Sequence, residues 1–87
     1  MKETPRSIAV RSMIKALKGT TPTADEVKDL RTLAGLTQKQ AGELMGTNQR
    51  VFMSWEQPAN KWGRQMSAQN LEKFCEILTN KINTGDL

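Results

Sequence analysis

The chain has no histidine, no tyrosine and a single cysteine in 87 residues. One cysteine cannot close an intramolecular bridge, and without histidine a Cys/His zinc site has no ligand set. No glycine-rich phosphate loop of a recognised form is present. The carboxylates are scattered, most of them at helix starts or on polar faces. Enzymatic chemistry is therefore not expected, nor a cofactor or a metal. No apolar run approaches the roughly 18 residues of a membrane span, and the N-terminus lacks a signal-peptide core. A cytoplasmic protein with no membrane partner is expected. Aromatic residues are few: Phe52, Trp55, Trp62 and Phe74. Most fall at positions that read as buried, which disfavours a base-stacking RNA surface.

What the chain does have is size for one small domain and an uneven charge. A single core of this length is marginal, so dimerisation would help it. The net charge is +4. Residues 1–24 hold Lys2, Arg6, Arg11, Lys15 and Lys18 against Glu3, whereas basic and acidic side chains balance over 25–87. The whole excess thus sits in the N-terminal quarter, as expected either of a phosphate-seeking arm or of a solvated helix face.

Helix punctuation is legible along the whole chain, and no stretch alternates like a strand. Thr4 before Pro5 suits a cap followed by proline at the first helical position. Apolar residues at Ile8, Val10, Met13, Ile14 and Leu17, with Gly19 as the stop, predict an amphipathic helix over 5–18. Thr23 and Glu26 form a capping box for a helix carrying Val27, Leu30, Leu33 and Ala34, which ends at Gly35 with Leu36 folding back on Leu30. Thr37 and Gln40 form a second box and open a helix from Gln38 to Met45. Asn48 caps the next, to about Gln57, where Pro58 stops it. Ser67 caps the last, with Met66 and Leu71 as a hydrophobic staple and a core face of Leu71, Phe74, Cys75 and Leu78. The expected architecture is all-α, four to five helices. A basic N-terminal helix or arm occupies 1–22, the main domain 23–79 and a short tail 80–87.

Residues 36–57, LTQKQAGELMGTNQRVFMSWEQ, carry the functional signal. They read as two short helices joined by a tight turn. Gly42 is small enough for a steep helix crossing, and Gly46 enters the left-handed turn without strain. Ala41, Met45, Phe52 and Trp55 fall on the inner faces. Asn48, Gln49, Arg50, Met53 and Ser54 are left on the outward face of the second helix. Gln49 can exchange hydrogen bonds with adenine N6 and N7 in the major groove, and Arg50 can donate two to guanine or one to phosphate. Met53 suits either a thymine methyl or a gap in the packing. Asn48 competes with itself, because capping the helix occupies its side chain.

This segment resembles the helix-turn-helix of the lambda-repressor/Cro (XRE-type) transcription regulators, and the likeness extends over roughly residues 25–79. The resemblance implies a lambda-repressor-like DNA-binding domain with an extra N-terminal helix. It assigns base reading to Asn48, Gln49, Arg50, Met53 and Ser54. It also implies that Gln38 bonds phosphate and braces the base-reading glutamine; a helix start facing phosphate is favourable in itself. The expected phosphate-contacting set is Gln38, Thr47, Lys61 and Arg64, joined by Arg6, Arg11 and Lys15 if the basic helix acts as an arm. Trp62 is expected to cover the core, Cys75 to be a small core residue, and Glu56 to make a structural hydrogen bond.

The sequence departs from the family in three places. Gln57-Pro58-Ala59 opens a longer loop where a glycine commonly follows the Trp-Glu segment. About eight residues remain after Thr79, where many members carry a further helix. The N-terminal helix is an addition. Dimer geometry is therefore not carried over, and either the stripe Ile8, Met13, Ile14, Leu17 or the tail residues Ile82 and Leu87 could supply a contact.

The leading expectation is a sequence-specific regulator of double-stranded DNA, a repressor binding a palindromic operator as a homodimer. The ending RQMSAQNLEKF is similar to that of short phage- or plasmid-borne regulators, which places the chain in a prokaryotic or phage setting. The alternative is the antitoxin of a toxin–antitoxin pair, binding both operator and a toxin protein, with the N-terminal 24 residues as the toxin-wrapping segment.

Overall fold

The computed structural model describes residues 4–57 and 63–86. Five helices follow one another: α1 Pro5–Leu17, α2 Ala24–Leu33, α3 Gln38–Leu44, α4 Gln49–Trp55 and α5 Ala68–Asn83, with no strand among the described residues. No described helix is long and apolar enough to cross a membrane.

The helices begin where local chemistry satisfies their free N–H groups. Thr4, Thr23, Thr37, Asn48 and Ser67 each accept from the backbone N–H three residues on. In α2 and α3 the capping is reciprocal: Glu26 returns a bond to the Thr23 N–H at 2.8 Å, and Gln40 one to the Thr37 N–H at 2.9 Å. Both helices also end alike. Gly35 and Gly46 take positive φ, and the next residue reaches back to the carbonyl of Arg31 in one case and of Gly42 in the other.

The core is built around aromatic edges. Phe52 of α4 meets Trp55 and Phe74 in T-shaped contacts, ring centroids 5.4 Å apart in each. Leu30, Met66, Leu78, Val10 and Val27 close around them. The paired placement of Met66 and Leu71, both buried at the start of α5, is as the sequence reads.

The N-terminal helix expected over 5–18 is present as α1, and the C-terminal tail differs from expectation. The N-terminal segment is no free arm, because α1 packs on α2 and α5 and buries Ser7, Val10 and Leu17. The expected tail from residue 80 is helix as far as Asn83, with Ile82 buried one turn beyond Leu78 and a positive-φ glycine, Gly85, at the stop. Leu17 and Ile82 are thus internal and offer no contact to a second chain. Lys2, Glu3, Pro58, Ala59, Lys61, Trp62 and Leu87 lie outside the described residues.

Candidate functional site

Helices α3 and α4 cross at Gly42. A Cβ built there would stand 2.5 Å from the Asn48 carbonyl oxygen and 2.6 Å from its carbon. The hairpin therefore closes through backbone contact that a side chain at Gly42 would block. Gly46 makes the turn at φ +74°, and the Lys73 ammonium on α5 donates to the Met45 carbonyl at 3.1 Å. That bond ties the end of α3 to a helix distant in sequence, and a cation there also suits the negative end of the helix.

The crossing leaves one face of α4 open. Asn48, Gln49, Arg50 and Met53 share one shallow, open surface. Asn48, Gln49 and Arg50 are exposed, and Met53 is half-buried. The Asn48 side-chain oxygen accepts from the Val51 N–H at 2.9 Å, so this side chain caps the helix as anticipated. Its amide NH2 points no bond to another described residue.

Ser54 is a correction to the outward set. It is 8% exposed, and its hydroxyl donates to the Val51 carbonyl at 2.5 Å. Its own carbonyl accepts from the Arg64 N–H at 2.9 Å. The position lies 100° round the helix from Met53, which turns it toward the returning chain instead of toward solvent.

The base of α4 is fixed by a buried charge cluster. Arg31 of α2 donates to both Glu56 carboxylate oxygens, with the Nη2 bond at 3.0 Å, and to the Leu36 carbonyl at 2.8 Å. The side chains are 14% and 3% exposed. Gln38, at the first turn of α3, donates to the same carboxylate at 3.3 Å. Gln38 is thus held by Glu56 and has no bond to Gln49 among the described residues; the bracing expected of it runs to the end of α4. The structural hydrogen bond expected of Glu56 is present. Arg31 and Lys73 were not singled out in the sequence. A lone arginine in the last turn of α2 reads locally as dipole compensation, and its partner is 25 residues away.

The other expected phosphate contacts are dispersed. Thr47 is half-buried, and its N–H is used by the Gly42 carbonyl. Arg64 is exposed beside Pro22, Thr23 and Trp55 in a surface recess of about 280 Å³. Arg6 lies over Gly35, three residues before Gln38; a Cβ on Gly35 would meet its guanidinium at 2.7 Å. Arg11 turns to the other flank of α1 and donates to the Asn83 side-chain oxygen at 2.9 Å, and Lys15 is exposed. Arg6, Arg11 and Lys15 therefore do not form one row. Cys75 is half-buried against the core, and burial together with Glu72 pushes its thiol pKa up.

Set beside known proteins, the chain matches no family model, no curated protein and no solved structure. The described residues form a small compact domain of five helices.

Proposed function

We propose that the chain is a sequence-specific double-stranded DNA-binding regulator of the lambda-repressor/Cro-like type, without enzymatic activity, acting as a repressor on a palindromic operator. The supporting observation is the open face of α4. A helix of seven residues is held by its neighbours at both ends, and Gln49 and Arg50 stand free on its exposed first turn. Both carry the donor and acceptor patterns that read adenine and guanine edges in the major groove. Met53 lies beside them, one turn further along, within reach of a thymine methyl.

The surroundings suit the same task. Gln38 opens α3 with its N–H groups at a helix start, where a phosphate is favourably bound. Arg6 over Gly35 adds a positive charge near that start. Arg64, with Thr47, belongs to the rim. Arg11 and Lys15 sit on the α5 side, and we leave them out of the phosphate set. One recognition helix reads about four or five base pairs, so useful specificity calls for two copies with half-site centres about 34 Å apart.

The antitoxin alternative has less support. The segment that would wrap a toxin is folded against α2 and α5 and buries Val10 and Leu17. Selection of DNA from a random pool by the purified protein tests the proposal. A palindromic consensus with half-sites one helical turn apart is expected. Recovery of unrelated sequences, bound with uniform affinity, contradicts it.

A further inference from the structure

The α1–α5 pair leaves a groove on the surface that no part of the described fold fills. It encloses about 420 Å³. Its lining includes Ile14 and Lys18 from the α1 side and Leu71, Glu72, Cys75 and Glu76 from α5. Arg11 meets Asn83 at one end, and Lys18 shares the groove with Glu72 at the other, so the two helices run antiparallel.

The floor and the walls differ in character. Ile14, Leu71 and Cys75 make an apolar floor continuous with the core. The α1 wall is positive at Lys18, with exposed Lys15 one turn before it. The α5 wall is negative at Glu72 and Glu76, which lie one turn apart on one face. No ion pair among the described residues engages Lys18, Glu72 or Glu76. The groove thus holds opposite charges on opposite walls without neutralising them internally.

We infer that this groove is the contact surface for a second copy of the chain. A two-fold axis along the groove brings each positive wall over the partner's negative wall and lays the apolar floors together. The two α1–α5 pairs then form a four-helix arrangement with antiparallel neighbours. An axis across the groove would set like charges face to face, so the charge pattern selects the first symmetry. The inference deepens the dimeric reading above by assigning its surface. It is tested without DNA, so its failure and a failure of base reading are separate results.

Sedimentation of the full chain over a concentration series, paired with the alkylation rate of Cys75, provides the test. The chain has one cysteine, so the label reports on the groove floor alone. Wild type is expected to dimerise, with Cys75 protected in step with the dimer fraction. Lys18→Glu is expected to weaken the dimer by about tenfold or more, and Glu72→Lys with Glu76→Lys to do the same. Combining these with Lys15→Glu, so that both walls are exchanged, is expected to restore affinity to within about threefold of wild type. Circular dichroism of these exposed-site variants should match wild type. A chain that is monomeric at every concentration, with Cys75 alkylated at one constant rate, overturns the inference and leaves the groove to a different partner. A dimer indifferent to the charge reversals, or a fourfold variant that does not recover, also overturns it.

Discussion

The Glu56 carboxylate accepts bonds from Arg31 and Gln38, and this one group ties α2, the start of α3 and the end of α4. The pair is nearly buried, so its worth is unequal for loss and for replacement. Removing one partner leaves an uncompensated charge at a site with little water, whereas removing both leaves none. Arg31→Met is expected to cost about 3–5 kcal/mol in urea denaturation. Arg31→Met with Glu56→Gln is expected to cost clearly less than Arg31→Met alone. An equal or greater loss in the double variant would mean that the contribution lies in packing rather than charge. None of this partnership is visible locally in the sequence, where Arg31 is one basic residue among several. The burial of Ser54 escapes the local sequence for a related reason. Its direction depends on where the chain after α4 returns, and the Arg64 N–H that meets its carbonyl is set by the tertiary fold. Asn48 shows the opposite case: capping is a matter of three residues, and its role could be read directly.

At the scale of the element, the two glycines of the α3–α4 hairpin act by different physics. Gly46 needs its left-handed φ, but the nearest atom to a Cβ there is the Lys73 ammonium nitrogen at 3.8 Å. Gly42 has ordinary helical dihedrals and no space, with the Asn48 backbone at 2.5 Å. Gly42→Ala is therefore expected to push α4 off α3, at a cost of about 1–3 kcal/mol from overpacking. In a domain of this size each kcal/mol lowers the melting temperature by about 4–8 °C. Gly46→Ala is expected to cost about 1–2 kcal/mol from the left-handed backbone alone and to leave the crossing in place. Binding to DNA separates them: at temperatures where both variants are folded, Gly42→Ala should lose affinity by more than Gly46→Ala. Equal affinities would mean that the crossing angle does not position the readers. The boundaries of these elements were legible because caps and stops are local. The end of α5 was missed although Ile82 continues the Leu71, Phe74, Leu78 stripe and Gly85 provides a stop like Gly35 and Gly46. Both signals are local and present in the sequence.

For the whole molecule, composition placed the positive excess in the N-terminal quarter, yet the fold divides it. Arg6 joins the junction leading into α3, while Arg11 and Lys18 face α5. A charge count along a helix cannot say which flank each residue takes until the helix has neighbours. The division predicts different salt responses. Arg6→Gln should make the slope of log K against log salt shallower by about one unit, the signature of one lost phosphate contact. Lys15→Gln should leave the slope unchanged. Equal changes for both would return the N-terminal helix to the role of a single basic arm.

The claim that α4 reads base edges is tested most directly by Gln49→Ala, assayed in parallel on the selected operator and on random DNA. Gln49 is uncharged and exposed, so its removal changes neither the phosphate attraction nor the core. The expected result is a loss of about 1–3 kcal/mol on the operator with little change on random DNA. Equal losses on both, or no loss on either, would contradict sequence reading by this helix.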